Sequence, residues 1–159
     1  MDVKIRDMTP SDVPVCADMV CASLIGERYG FVLERMTGIL NTAMKDAAIP
    51  IVAELDGKPA GFAWVDPRGA FSSAPYLRLI AVDERIRGAG IGSALLREFE
   101  RRTMDVGRDF FLLVSDFNDR AIQFYERYGY VRVGALPDFA RQGITEIIMV
   151  KKRKVGNAE

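Results

Sequence analysis

The hydrophobic period of the chain changes near its start, from the alternation of a strand to the spacing of a helix. Residues 3–7 (VKIRD) alternate apolar and polar side chains. Apolar residues then recur three or four positions apart, at Val13, Cys16, Val20 and Leu24. That spacing puts them on one face of a helix. The segment therefore predicts a strand followed by an amphipathic helix.

Capping residues mark the start of this helix. Ser11 is the expected N-cap, with Thr9 as the other candidate. Pro14 then falls in the first turn, where its missing N–H donor is harmless. A second helix is predicted at 31–44, because apolar residues again share one face there. The link between the helices, residues 25–30 (IGERYG), is expected to act as a lid.

The rest of the chain also divides into short periodic segments separated by turn residues. Strands are predicted at 51–55, 60–66, 76–82, 110–114, 130–136 and 145–151, and helices at 90–104 and 118–129. Asp56 and Gly57 supply a hairpin turn between the first two of these strands. The run FFLLV (110–114) is apolar throughout, so we expect an interior strand covered on both faces.

This order of elements predicts one α/β (α+β) domain spanning residues 1–159. Its core is expected to be a mixed, mostly antiparallel sheet of about seven strands with helices on both faces. Residues 152–159 are expected to form a flexible tail. No internal repeat or low-complexity linker interrupts the chain.

Charge and composition exclude several classes of partner. Lys plus Arg and Asp plus Glu both number 22, so no global positive field attracts nucleic acid or an anionic membrane. The start of the chain is charged and no apolar run is long enough to span a bilayer, so we expect a cytoplasmic protein. The basic run KKRKV (151–155) is interpreted as an ordinary charged chain end.

The chain offers few residues for nucleophilic or metal chemistry. Histidine is absent, which removes histidine-based triads and the commonest general base. Cys16 and Cys21 are spaced for neither a zinc site nor a CxxC pair, so we interpret them as reduced structural thiols. No metal is expected.

Three alternating glycines precede the helix predicted at 90–104: Gly88, Gly90 and Gly92. Each glycine costs a helix start about 1 kcal/mol relative to alanine, so three together need a reason beyond folding. Small residues between a strand and a helix N-terminus form an anion site, because unpaired amides converge there with the positive end of the helix dipole. The segment therefore predicts a phosphate-binding loop.

Two familiar phosphate loops fit this stretch poorly. A nucleotide P-loop needs a lysine that the segment lacks. A dinucleotide fingerprint that began at Gly88 would need glycine where Ser93 stands, and it would follow its strand at once. Dinucleotide binding therefore remains only as a secondary alternative.

The segment RGAGIG (87–92) resembles the RxxGxG acetyl-CoA pyrophosphate loop of the GNAT N-acetyltransferase superfamily. A second segment, VSDFNDRAIQFYERYGY (114–130), is similar to that family's other signature. It matches at Asn118, Ala121, Tyr125, Gly129 and Tyr130. The similarity of element order runs from Val3 to about Lys151, which is nearly the whole chain.

The resemblance implies acetyl-CoA as cosubstrate and assigns residues to it. The pantetheine arm would bond to strand backbone at Ile80, Ala81 and Val82. The pyrophosphate would lie on Arg87, Gly88, Ala89, Gly90, Ile91, Gly92 and Ser93. Asn118 and Tyr125 complete the expected cofactor site.

The resemblance also implies direct attack of a primary amine on the thioester, with no acyl-enzyme. The hydroxyl of Tyr125 would serve as general acid to the departing CoA thiolate. The glutamate that some relatives carry as base falls at about Tyr76 here, and the strand has no carboxylate. Glu27 and Asp116 are the remaining candidates for the base, acting through water.

The acceptor is expected between the lid and the last strands, with Tyr29, Phe31, Phe139 and Arg141 as lining residues. The sequence does not choose between a small-molecule amine and a protein amine. Members of the family are often dimers, so a homodimer is one option, and the oligomeric state stays open. A non-catalytic acyl-CoA-binding regulatory module is the alternative function.

Overall fold

The computed structural model describes residues 2–154, which form one sheet with helices packed against it. The strands are β1 (Val3–Asp7), β2 (Ile49–Leu55), β3 (Lys58–Ala70), β4 (Ala74–Val82), β5 (Phe110–Ser115), β6 (Val131–Pro137) and β7 (Thr145–Lys151). The helices are α1 (Val13–Cys21), α2 (Leu24–Tyr29), α3 (Leu33–Ala43), α4 (Ile91–Thr103) and α5 (Asp119–Arg127). Of the expected tail and the basic run, residues 155–159 lie outside the described part.

The sheet has seven strands in the order β1-β2-β3-β4-β5-β7-β6. All neighbours are antiparallel except β4 and β5, which are parallel and pair only at Tyr76 with Phe111 and at Leu77 with Leu112. Beyond Leu77 the two strands diverge. The mixed, mostly antiparallel sheet and the interior position of residues 110–114 are therefore confirmed.

Helices cover both faces of the sheet because the side chains of β2 and β3 alternate between two cores. Ile51 and Ala53 belong to a core with α4 and α5, whereas Val52 and Phe62 belong to a second core with α1 and α3. All four of these side chains are fully buried. The predicted covering of both faces is confirmed.

The β2–β3 hairpin turns as its sequence indicates. Asp56 and Gly57 have φ values of 52° and 78°, the left-handed pair that a tight hairpin turn requires. The strands after it are longer than predicted. β3 continues through Pro67 and Gly69, because the register between β3 and β4 shifts between Asp66 and Ala70 and absorbs both residues.

The first helical segment differs from its prediction. α1 ends at Cys21, and the predicted lid is itself mostly a short helix, α2, whose N-cap Ser23 accepts a hydrogen bond from the amide of Gly26 at 3.2 Å. A Cβ on Gly26 would lie 2.2 Å from the carbonyl oxygen of Val20, so only glycine lets α2 fold back on the end of α1. Leu24 consequently leaves the face of α1 and is 46% exposed.

The start of α1 also corrects the sequence-based expectation. Ser11 is not its N-cap but lies inside a 3₁₀ turn at Pro10–Asp12, which Thr9 caps and which leads directly into α1 with Asp12 as its N-cap. Pro14 lies in the first turn, as predicted. Cys16 is buried and Cys21 is half-buried, and both are free thiols.

Candidate active site

The glycine loop links the end of β4 to the start of α4. After a 3₁₀ turn at Glu84–Ile86, Gly88 and Gly90 have φ values of 89° and 79°, which side-chain-bearing residues rarely adopt. Gly90 is the N-cap of α4, so the first amides of the helix have no side-chain cap. Backbone conformation therefore explains two of the three glycines and leaves helix donors open to a ligand.

Gly92 has no such conformational reason. A Cβ there would meet nothing closer than the ring of Phe124 at 3.5 Å, which is an ordinary contact. Its missing side chain instead leaves room in a cavity of about 680 Å³ between the glycine loop and α5. The third glycine is thus the one that a bound ligand explains best.

This cavity, the cofactor cavity, brings both sequence motifs together. Of the residues assigned to acetyl-CoA, it is lined by Ile80, Ala81, Val82, Arg87, Gly88, Gly90, Ile91, Gly92, Ser93, Asn118 and Tyr125. Ala89 is absent from the lining and packs against the core instead. Ile80 to Val82 lie where β4 has already diverged from β5, so a narrow ligand arm can enter between the strands.

Three arginines supply positive charge to the cofactor cavity. Arg87 forms an ion pair with Glu84 at 2.8 Å while its side chain stays 39% exposed. Arg120 and Arg127 of α5 also line the cavity, and sequence reasoning missed both. Their separation of seven positions on one helix could have shown that they share a face.

A second cavity of about 560 Å³, the acceptor cavity, is lined by β4 and β5 and by the segments around α2 and between β6 and β7. It is lined by all four residues expected at the acceptor: Tyr29, Phe31, Phe139 and Arg141. The rings of Tyr29 and Phe31 lie 5.6 Å apart, and the guanidinium of Arg141 donates to the carbonyl of Tyr29. The segment between β6 and β7 is thereby fastened to the end of α2.

The two cavities meet at Tyr125. Ile25, Ile80, Asn118 and Ala121 are the other residues that line both. Tyr125 is only 5% exposed, and its ring packs 5.9 Å from that of Tyr130. Its hydroxyl has no hydrogen-bond partner among residues 2–154, and burial raises its pKa, so the hydroxyl keeps its proton and is available to donate.

Asn118 and Gly129 bound the helix that carries Tyr125. The side-chain oxygen of Asn118 accepts a hydrogen bond from the amide of Ala121 at 3.2 Å, as the predicted N-cap should. Gly129 follows the helix with a φ of 95°. The second motif therefore fixes where α5 starts and stops, and with it the direction of Tyr125.

A buried carboxylate that sequence reasoning missed lies at the base of the acceptor cavity. Glu146 of β7 is 6% exposed, lines the acceptor cavity and pairs in register with Ser115 of β5. The hydroxyl of Tyr29 donates to Glu146 and lies 2.6 Å from Oγ of Ser115. Burial, then the bond to Glu146, raises the pKa of Tyr29. Local periodicity gave no signal beyond one glutamate within an apolar strand.

The two carboxylates proposed from the sequence lie elsewhere. Glu27 on α2 and Asp116 after β5 are both exposed, and neither lines either cavity. Tyr76, at the position where some relatives carry a glutamate, lines the acceptor cavity. Within residues 2–154 no cluster of metal-ligating side chains was found, and no helix there is both long and apolar enough to cross a bilayer.

The sequence was also compared with known protein families, and one family matches. Residues 20–130 match the acetyltransferase (GNAT) family, so the chain belongs to that family. The match spans both motifs and the split between β4 and β5. The dinucleotide alternative gains no support.

Two relatives are similar to part of the chain. An uncharacterized N-acetyltransferase of Methanocaldococcus jannaschii is 31% identical over 105 residues, which are 64% of this chain and 65% of that protein. Blasticidin-S acetyltransferase of Streptomyces morookaense is 34% identical over 77 residues, 48% of this chain and 56% of that protein. The chain thus spans less than two-thirds of the length of either relative.

The fold also matches solved structures along nearly all of its length. Ard1 from Thermoplasma volcanium superposes with a TM-score of 0.79 at 24% identity, covering 98% of this chain and 100% of that one. At this identity the likeness concerns the fold alone. It agrees with the seven-stranded sheet and flanking helices described above.

Proposed function

We propose that the protein is an N-acetyltransferase that moves the acetyl group of acetyl-CoA directly to a primary amine. The observation that carries the proposal is the meeting of the two cavities at Tyr125. One cavity has a helix N-terminus and arginines suited to phosphates. The other has aromatic walls and a buried carboxylate suited to an ammonium group.

In this proposal the cofactor lies along the cofactor cavity. Its pyrophosphate accepts hydrogen bonds from the amides at the start of α4 and from Arg87, and its amide-rich arm bonds to the backbone of Ile80–Val82. The thioester then reaches Tyr125 through the gap between β4 and β5. No metal is needed for any step.

The acceptor must lose a proton before it can attack. For an amine with a pKa near 10.4, deprotonation at pH 7 accounts for about 4 to 5 kcal/mol of the barrier, against about 1 kcal/mol for an α-amine near 7.7. We place Glu146 in this role, because it is the carboxylate that lines the acceptor cavity. Glu27 and Asp116 would have to act through intervening water.

Transfer then proceeds by addition and loss of the thiolate. The nitrogen lone pair forms the new C–N bond, the C–S bond breaks, and the sulfur leaves with its electron pair. Tyr125 donates a hydrogen bond to this thiolate, which stabilises it more in the transition state than in bound acetyl-CoA. Of the two protons that the ammonium loses, one goes to Glu146 and one ends on the thiol.

Release of free CoA thiol in the presence of a panel of primary amines, with the acetylated product identified by mass spectrometry, tests the proposal. We expect thiol release that depends on both substrates, and stabilisation of the fold by acetyl-CoA but not by NAD. Binding of acetyl-CoA with no turnover of any amine would instead favour the regulatory-module alternative. Failure to bind acetyl-CoA would exclude both.

The proposal also includes the location of the protein and its partners. We infer a cytoplasmic enzyme with a small-molecule or protein amine as its partner, acting without nucleic acid or membrane. The assembly that we propose to test for it is a homodimer. In the described part of the basic run, residues 151–154, Lys151 forms an ion pair with Glu100 at 2.6 Å. The charge of Lys151 therefore has a structural role.

A further inference from the structure

A third cavity of about 750 Å³ lies between β3, β4 and α3 and adjoins the acceptor cavity. The two cavities share three lining residues, Arg35, Ile39 and Arg78. Both charged residues at the junction are therefore arginines. Neither belongs to the motifs or to the mechanism described above.

The hydrogen-bond donors near this junction lack full partners. Arg35 is exposed and forms no ion pair within residues 2–154. Arg78 meets Asp66 only at 3.5 Å. Trp64 lies on β3 beside the Arg78 guanidinium, and its buried Nε1 has no hydrogen-bond partner among residues 2–154. Buried donors are normally satisfied, so an unpartnered one marks a place where an acceptor group can be bound.

Aromatic rings hold the Arg78 guanidinium in place. Its central carbon lies 5.0 Å from the ring of Trp64 and 5.4 Å from that of Tyr76. A guanidinium fixed in this way loses less freedom when it binds a planar anion. Asp46 and Asp66 also line the third cavity, with Asp66 3.5 Å from the Arg78 guanidinium, and neither aspartate lines the acceptor cavity.

We propose that Arg35, Arg78 and Trp64 form an anion subsite, and that the acceptor is a primary amine carrying a carboxylate. The proposal rests on the proposed function, since it names the substrate class of the same site. The ammonium lies toward Glu146 and Tyr125, and the carboxylate lies at the arginines. A polyamine would bring a second cation against Arg35 and Arg78, so it is disfavoured.

Acetylation of a homologous series of amino acids tests this subsite. The series runs from glycine to 6-aminohexanoate, and each acid is compared with its neutral amide. We expect the acid to exceed its amide in kcat/KM by about tenfold or more for the members whose length matches the cavity, the scale of a charge-assisted hydrogen bond. Amides or polyamines that equal the acids throughout would overturn the proposal.

Two variants and one control assign the preference to the subsite. In Arg35→Ala and Arg78→Ala the ratio of acid to amide should fall toward one. Arg108→Ala is the matched control, because Arg108 is exposed and lines none of the three cavities, and it should keep the ratio of the wild type. A ratio that survives in both subsite variants would contradict the assignment.

A binding measurement separates this proposal from the proposed function. Trp64 is the single tryptophan of the chain, so tryptophan emission reports on the surroundings of this ring. Titration with 4-aminobutyrate and 6-aminohexanoate in the presence of CoA should change that emission, and the matching amides should not. A response without turnover would retain the subsite and reject acetyl transfer. Turnover of amines with no response to the acids would reject the subsite alone.

Discussion

Two buried polar side chains carry the proposed chemistry, and they were identified from different observations. Tyr125 is identified by a motif whose spacing fixes its helix, and Glu146 is identified only by the cavity it lines. Both side chains are at most 6% exposed, so contacts with neighbouring protein atoms fix the position of each. A small change in either should therefore alter chemistry without loosening the fold.

Replacement of Tyr125 by phenylalanine removes only the hydroxyl. We expect kcat to fall by about ten- to a thousandfold, because the departing thiolate loses its hydrogen-bond donor. The melting temperature should stay the same, since the ring contacts with Phe124 and Tyr130 remain. Steady-state kinetics and thermal unfolding measure the two effects.

Tyr130→Phe is the matched control for this variant. Tyr130 is equally buried, but its hydroxyl points to Glu100 at 3.4 Å rather than into a cavity. Tyr130→Phe should keep the kcat of the wild type. A Tyr125→Phe protein that melts several degrees lower yet turns over normally would make Tyr125 a packing residue.

Replacement of Glu146 by glutamine keeps the shape of the side chain and removes its ability to take a proton. We expect kcat to fall by about a hundred- to ten-thousandfold near neutral pH. The loss should be larger for an acceptor with a pKa near 10.4 than for one near 7.7, and it should shrink as the pH rises and the amine deprotonates unaided. Initial rates across a pH series measure this.

Glu27→Gln and Asp116→Asn provide the comparison for Glu146, because both residues are exposed carboxylates outside the cavities. Under this account both variants stay near wild-type activity. A large loss in either one, combined with normal turnover by Glu146→Gln, would return the role of base to that residue.

At the scale of elements, one ion-pair network joins the first strand to the first helix. Arg6 of β1 makes two bonds to the Asp12 carboxylate, at 2.6 and 2.8 Å, and one to Glu54 of β2 at 2.6 Å. Asp12 is 4% exposed and also accepts from the amide of Thr9. The hydrogen bonds from Arg6 are the main reason that the pKa of Asp12 falls from 3.8 to about 2.

This lowered pKa predicts a pH-dependent contribution to stability. The contribution is fully present above the unfolded pKa of 3.8 and is lost as the pH falls toward the folded value of about 2. We expect Asp12→Asn to lower the free energy of unfolding by about 2 kcal/mol at pH 7. The gap between wild type and variant should close on acidification, as measured by denaturant unfolding between neutral and acid pH.

Asp105→Asn is the control for this measurement, since Asp105 is exposed and forms no ion pair within residues 2–154. It should change the free energy of unfolding little at any pH. A deficit of Asp12→Asn that stays constant down to pH 2 would show that the packing of the side chain, and not its charge, is what the variant removes.

The predictions from sequence were accurate where a local pattern was enough. The hairpin at Asp56 and Gly57 and the cap at Asn118 depend on neighbours within a few positions, and both were confirmed. The predicted end of α1 was wrong. The helix ends earlier because Gly26 packs closely against the carbonyl of Val20, and hydrophobic periodicity does not report that contact. The extension of β3 was missed because Pro67 and Gly69 normally end strands.

At the scale of the whole molecule, the site depends on contacts between distant parts of the chain. Tyr29 and Glu146 are separated by 117 positions, and Tyr29 and Arg141 by 112. The four residues expected at the acceptor line one cavity, and they could be proposed from sequence because the family resemblance indicated which loops meet. The sequence did not indicate Glu146, Arg35 or Arg78 as candidates, because no motif includes them and the hydrophobic periods of their strands and helix look ordinary.

The central claim is that acetyl-CoA occupies the cofactor cavity with its phosphates on the start of α4. Gly92→Glu tests this claim most directly, because Gly92 tolerates a side chain on conformational and packing grounds, and the substitution places a negative charge at the helix N-terminus. Gly92→Gln is the control of the same size without the charge. The measurement is the Kd of acetyl-CoA by titration calorimetry, on proteins whose melting curves show that they are folded.

We expect Gly92→Glu to weaken binding of acetyl-CoA by about a hundredfold or more relative to wild type, and by clearly more than Gly92→Gln does, because like charges in close contact are strongly repulsive. The excess loss should diminish at high salt, which screens that repulsion. A folded Gly92→Glu protein that binds acetyl-CoA as tightly as the wild type would contradict the account.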